Sequence, residues 1–312
     1  MLALGGNAMT NADGRARPED QIAAAEVAME AVAELLAEDV DVVITHGNGP
    51  QVGNLLVKNE LAAAVVPPVP LDWCGAQTQA TLGFVLMDAL DAALARRGIG
   101  RRSATVVTRT LVDPSDPGFV KPTKPIGRFL PADEAALLVE HGEVWEDRGE
   151  KGWRRVVASP EPLDIIDAGA VLELVDAGFV VVANGGGGIP VVRRDDGSLS
   201  GVEAVIDKDL GAALLGVLVG ADVLVVATDV PQAVLRYGQP DAAPVGRLGL
   251  AEMQGYAEEG HFASGSMGPK VDAVCRFVQG TDRPGVITSL DHIVDAVRRL
   301  GEVGAVVVAD RT

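Results

Sequence analysis

The chain has 312 residues, 48% of them hydrophobic but only 4% aromatic, and carries a formal net charge of −18 from 26 basic and 44 acidic side chains. That length exceeds a small stapled module, and an interior of Ala, Val and Leu suits helices packed on a buried parallel sheet. The acidic balance argues against a nucleic-acid or membrane partner, and Cys74 and Cys275, far apart in sequence, make neither a metal spacing nor a disulfide framework.

The opening Met1-Leu2-Ala3-Leu4-Gly5-Gly6 is a very short strand with no basic region or signal core, and no uncharged apolar run reaches about 18 residues. With two reduced thiols, the expectation is a cytoplasmic protein. Residues 18–38 predict a helix, with Ile22, Ala25, Met29, Val32 and Leu36 on one face. A β-branched run at 42–45 predicts a buried strand. A second helix is expected over 75–97, with Leu82, Leu86, Ala89 and Leu90 inward, followed by a strand at 105–107. Residues 113–162 break this rhythm. Their proline density argues against central strands, and 144–157 reads as a hairpin around a glycine turn, so this segment is expected to project from the main sheet. The alternation then resumes: helix 164–176 on Ile166, Ala170 and Leu174, strand 179–182, helix 208–219, strand 223–226, helix 269–278 and strand 304–308. Strands alternating with helices imply a mainly parallel sheet covered on both faces.

Four glycine-rich turns punctuate the chain: Gly5-Gly6-Asn7-Ala8, His46-Gly47-Asn48-Gly49-Pro50-Gln51-Val52-Gly53, Asn184-Gly185-Gly186-Gly187-Gly188-Ile189-Pro190 and Ser264-Gly265-Ser266-Met267-Gly268-Pro269-Lys270. Glycine lets backbone approach a phosphate closely, and open α/β sheets bind ligands at the carboxyl ends of their strands. None of the turns fits a P-loop or a dinucleotide fingerprint.

Only six residues are lysine, so their placement is informative. Lys208 and Lys270 each open a predicted helix, where a cation opposes the helix dipole by ~0.3–1 kcal/mol and therefore points to an anionic ligand. Lys121 and Lys124 flank Pro122-Thr123 in the projecting segment. Phosphoryl transfer needs such charge on the travelling group. Asp207 is placed to orient the lysines or to hold Mg²⁺ through water, and Asp209 reads as a first-turn helix carboxylate. Asp229 reads equally as a strand-end cap or a nucleotide contact. His46 reads as a strand-end histidine that orders its turn, not as a catalyst.

Taken together, Leu4-Gly5-Gly6-Asn7-Ala8, Thr45 to Asn54, Lys121-Pro122-Thr123-Lys124-Pro125-Ile126-Gly127, Gly185 to Val191, Gly201 to Asp209 and Gly265-Ser266-Met267-Gly268-Pro269-Lys270 resemble the carbamate kinases over nearly the whole chain. The resemblance implies an α/β fold, a three-layer αβα sandwich around a mainly parallel eight-stranded sheet, forming a homodimer. It implies an acceptor-binding lobe (1–178) carrying the projecting lid-like subdomain (113–162), and a nucleotide-binding lobe (179–312). Gly5, Gly6, Asn7, Gly47, Asn48 and Gly49 would surround carbamate and the transferred phosphoryl group. Lys208, Lys270, Asp229, Gly186, Ser266 and Met267 would hold the nucleotide, Asp207 would organise the two lysines, and Lys124 would close over the site. The implied substrates are ATP/ADP and carbamate/carbamoyl phosphate, with Mg²⁺ carried by the nucleotide. The opening strand is short for the family, and the expectation is a chain start placed too late. Other kinases of the same fold, acting on acetylglutamate, glutamate, aspartate or UMP, should lack the Pro-Thr-Lys-Pro-Ile-Gly module. A non-catalytic nucleotide sensor would have no need to keep Lys208 and Lys270.

Overall fold

The β-branched runs form the sheet and the Ala/Leu-rich runs cover it, in a computed structural model that describes residues 1–6, 17–140, 142–263 and 265–310. Asn7, and Ser264 of the fourth glycine turn, lie outside the described residues. In chain order, β1 (Leu2–Leu4), α1 (Pro18–Leu36), β2 (Val43–His46), α2 (Gly49–Ala62), α3 (Leu71–Arg97) and β3 (Arg102–Val106) come first. Next follow β4 (Arg109–Leu111), α4 (Pro117–Val120), β5 (Lys124–Leu130), α5 (Ala132–Glu140), β6 (Trp145–Asp147), β7 (Trp153–Val157) and β8 (Asp164–Ile165). Then come α6 (Ala168–Asp176), β9 (Phe179–Ala183), β10 (Ile189–Arg193), β11 (Leu199–Gly201), α7 (Lys208–Leu218) and β12 (Leu224–Thr228). The chain closes through β13 (Val234–Leu235), β14 (Ala243–Pro244), β15 (Arg247–Gly249), α8 (Leu250–Glu258), α9 (Met267–Thr281), β16 (Gly285–Ser289), α10 (Ile293–Arg298) and β17 (Ala305–Val308).

The central sheet has eight strands in the order β15-β17-β16-β12-β1-β2-β9-β3. Every neighbouring pair is parallel except β16 with β17. Period-two alternation sends successive side chains to opposite faces. Ala3, Val43, Val181, Leu224 and Val226 join one core with α6, α7, α8 and α9, whereas Leu2, Leu4, Ile44, Val182 and Val225 join another with α1, α3 and α10. The expected sandwich is therefore present, with both faces of the sheet buried.

Some sequence expectations need correction. Ile22 was placed on the inner face of α1 but is 48% exposed, and the face runs instead through Ala25, Met29, Val32 and Leu36. Residues 164–165 form β8, so α6 begins only at Ala168, and it buries Ala168 and Val171 where Ala170 was expected. Helix α2 is absent from the helices read from periodicity, because its Gly49-Pro50 start and its polar residues obscure the period. The boundary at 178/179 falls just before β9, yet β9 lies between β2 and β3 and so belongs to the same half of the sheet as the first lobe.

The segment 113–162 carries a separate antiparallel sheet, β5-β7-β6. Pro125 sits on β5, an edge strand, as its missing N–H requires. The root of the segment is apolar: Ile126 and Val157 pack with Val52, Leu56, Leu71 and Cys74. Its far end has its own small core of Leu130, Ala135 and Trp145. The predicted hairpin forms between β6 and β7. Among the described residues, no helix is long and apolar enough to cross a membrane.

Candidate active site

The parallel register brings the carboxyl ends of β1, β2, β9 and β12 to one edge, and the first three glycine turns leave the sheet there. At Gly47 an added Cβ would lie 2.8 Å from Gly6 Cα and 3.1 Å from Lys208 Cδ. Turn one, turn two and the stem of Lys208 therefore meet at a point where only glycine fits. Gly5 is held as tightly, its Cβ position 2.9 Å from Ala227 O on β12. Gly47 does not aim its N–H at a substrate, because that amide donates to Leu4 O at 3.1 Å and extends the ladder. Gly49 opens α2, and nothing lies within 4 Å of its Cβ position. Asn48 is buried before that helix and donates through Nδ2 to Thr78 Oγ1 at 2.9 Å. Gly186 packs on the same Asn48, its Cβ position 2.1 Å from Nδ2, with a positive φ of 67°. That contact sets Gly186 directly against the second glycine turn.

A buried polar network beneath the third turn escaped the sequence reading. Gln79 of α3 donates to Thr108 O and Gly185 O, each at 3.2 Å, and accepts from Thr108 N at 2.9 Å. Thr108 Oγ1 accepts from Asn184 N at 2.9 Å, and Thr110 Oγ1 donates to Gly187 O at 2.7 Å. Thr45 Oγ1 donates to Asn184 O at 2.8 Å. These bonds satisfy turn backbone that burial would otherwise leave costly. The available signal was the adjacent pair Thr78 and Gln79, polar side chains among the buried residues of α3.

The charged centre lies at the starts of α7 and α9. Lys208 Nζ pairs with Asp209 Oδ1, and Lys270 Nζ lies 3.0 Å from Asp209 Oδ2. One carboxylate, with 4% of its side chain exposed, thus bridges both lysines. The organising role expected of Asp207 thus falls to Asp209, which is also the first-turn carboxylate of α7 that its position predicts. Asp207 instead caps α7, Oδ1 accepting from Asp209 N at 2.9 Å and Leu210 N at 3.4 Å, and its Oδ2 takes Lys124 Nζ at 2.8 Å. The physical reason is helix geometry: an N-cap side chain folds back onto the first N–H groups, leaving the carboxylate two residues on to face the lysines. Burial pushes the Lys208 ammonium below its usual range and Lys270 adds to this, while Asp209 opposes it. Burial alone would raise the Asp209 carboxyl, but the two ammonium groups outweigh it and hold the group low. Asp209 stays charged, and the proton on Lys208 is held less firmly than on an exposed lysine.

His46 ends β2 fully buried, with Nδ1 3.1 Å from Gly47 O and its ring against Gly185. Burial lowers its pKa to about 4, so the ring is neutral near pH 7. Ser266 and Met267 begin α9, the helix that carries Lys270. Asp229 lies exposed just past β12 and accepts from Thr228 Oγ1 at 3.0 Å. A small pocket, open to solvent, lies between Asn48, Gly49, Gly186, Ile126 and Val205. It separates the acceptor turns from the root of the projecting segment. Among the described residues, no group of three or more His, Cys, Asp or Glu is arranged to hold a metal.

A family model described as "Amino acid kinase family" matches residues 2–289. Carbamate kinase of Trichomonas vaginalis is 43% identical over 312 residues, covering 99% of this chain and 98% of the relative. Carbamate kinase of Thermococcus kodakarensis is 43% identical over 315 residues, covering 99% of both. Among solved structures, carbamate kinase from Giardia lamblia bound to AMP-PNP superposes with a TM-score of 0.93 at 40% identity, covering 99% of this chain and 98% of that one.

Proposed function

Because this chain belongs to the amino acid kinase family, we infer that it acts as a carbamate kinase, moving a phosphoryl group reversibly between ATP and carbamate through carbamoyl phosphate. The observation that carries the reading is the meeting of Gly5, Gly6 and Gly47 with the lysine pair Lys208 and Lys270 at one sheet edge. Near-full-length similarity to carbamate kinases supports it.

Carbamate already carries the anionic oxygen that attacks phosphorus, so no proton must be removed. The obstacle is bringing two anions together, a repulsion of about 4 kcal/mol at ~4 Å and an effective dielectric near 20. Lys208 and Lys270 oppose it from the nucleotide side, and Lys124 from the projecting segment. The first amides of α2, beginning at Gly49, lack intrahelical partners and face the acceptor. His46 suits no general-base role, since a pKa lowered to about 4 makes its ring a weak base and its Nδ1 is engaged with Gly47 O. Gly5 and Gly6 line the acceptor turn. Ser266, Met267 and Asp229 flank the nucleotide. Mg²⁺, arriving with the nucleotide, neutralises phosphate charge. We take the physiological direction to be ATP formation and the working unit to be a homodimer. The test mixes ADP, carbamoyl phosphate and Mg²⁺: ATP should form, whereas acetylglutamate, glutamate, aspartate and UMP should not be phosphorylated by ATP. Efficient phosphorylation of any of those four would overturn the reading.

A further inference from the structure

Three ammonium groups and two carboxylates share the site: Lys124, Lys208 and Lys270 against Asp207 and Asp209. Asp209 is fully used by Lys208 and Lys270. Lys124 is therefore balanced by Asp207 alone, through the 2.8 Å contact to Oδ2. The other oxygen of Asp207 is tied to the first turn of α7, so the carboxylate is fixed with 14% of its side chain exposed. Its charge also reaches Lys208, whose proton it helps retain. The projecting segment has a second ion pair to this half of the molecule, Glu161 with Arg276 of α9, which anchors its root without entering the site.

We propose that Asp207 is the positioning residue for Lys124. It holds the ammonium of the projecting segment beside two other lysines before any phosphate is present, and yields it to the phosphoryl group when substrate arrives. Without Asp207, a third positive charge would face Lys208 and Lys270 with no counter-charge of its own and would turn toward solvent. The identity of the arriving anion rests on the carbamate kinase reading, but the parking of Lys124 does not.

Asp207→Asn isolates the charge, because Asn caps a helix as well as Asp does and α7 should stand. Asp207→Ser also keeps a capping oxygen and serves as the second variant. With saturating MgADP, kcat/KM for carbamoyl phosphate should fall at least tenfold in both, with the Kd for MgADP within threefold of wild type. Combined with Lys124→Ala, either variant should be no slower than Lys124→Ala alone. Independently of activity, acetylation of Lys124 by an N-hydroxysuccinimide ester, quantified by mass spectrometry against Lys121, should rise several-fold in both variants. Penalties that multiply in the double variant, or unchanged Lys124 labelling, would overturn the proposal. Increased labelling in a protein whose wild type makes no ATP would refute the carbamate kinase reading and leave the role of Asp207 standing.

Discussion

At Asp209 one carboxylate neutralises two buried ammonium groups, so the site holds more charge than a lone helix end tolerates. Removing that charge leaves both lysines uncompensated, and breaking a buried pair costs ~3–5 kcal/mol. Asp209→Asn should lower stability by that order in denaturant melts near pH 7. Because the folded carboxyl is held low, its stabilisation is present above the unfolded carboxylate pKa, near 3.9. It is lost as pH falls through the lower folded value. The variant should therefore lose less stability than wild type when acidified, and a melt showing equal acid sensitivity would place the charge elsewhere. His46 gives a second pH signature. Its folded pKa of about 4 lies below the ordinary 6.5, so between those values the unfolded chain binds a proton that the native state refuses. Stability should fall as pH drops from 6.5 to 4, by up to about 3 kcal/mol at ~1.4 kcal/mol per unit. His46→Asn should flatten that slope and keep substantial turnover, and loss of turnover in a folded variant would make the imidazole part of the chemistry.

Helices α7 and α9 carry the lysine pair, and their spacing is set by a small residue. An added Cβ at Gly216 would lie 3.0 Å from Phe277 Cε2. Gly216→Leu should push the helices apart at ~1–3 kcal/mol and separate Lys270 from Lys208. The expected outcome is a folded protein with a raised KM for MgADP and a lowered kcat, read by circular dichroism and steady-state kinetics. Wild-type kinetics would mean that the spacing does not govern the pair. The elements most legible in the sequence were those with a clean period: the runs that became β2, β9 and β12, and the apolar arcs of α1 and α3. What stayed hidden depends on direction, not composition. Asp207 and Asp209 flank the same lysine, and only the turn of the backbone into α7 decides which one faces inward. Gln79 is one of several polar residues in a long helix, and its importance appears only when β9 and its glycine turn pack beneath it. Likewise Gly186 belongs by sequence to the second half of the chain, but β9 carries it across the sheet to Asn48.

For the whole molecule, Trp73 and Phe84 of α3 are 60% and 57% exposed. They lie three turns apart on one face of the helix, beside the half-exposed edge strand β3. For the homodimer proposed above, this apolar face is the expected contact, since a net charge of −18 on each copy disfavours pairing through charged faces. Phe84→Glu should convert a dimer to a monomer in light scattering, and a mass unchanged by the substitution would put the interface on another face. The order of the central sheet has a consequence for how the chain is made. Strand β1 is three residues long and lies between β2 and β12, and the Met1 amine bonds to Val223 O across 222 positions of sequence. On the ribosome, β1 can meet β2 early, but its other edge stays open until β12 has emerged. The two halves of the sheet are thus joined by a strand made long before its partner β12, in one of the slowest pairings to close. A nascent chain arrested before residue 224 should expose that edge to chaperones, and release beyond residue 228 should seal it.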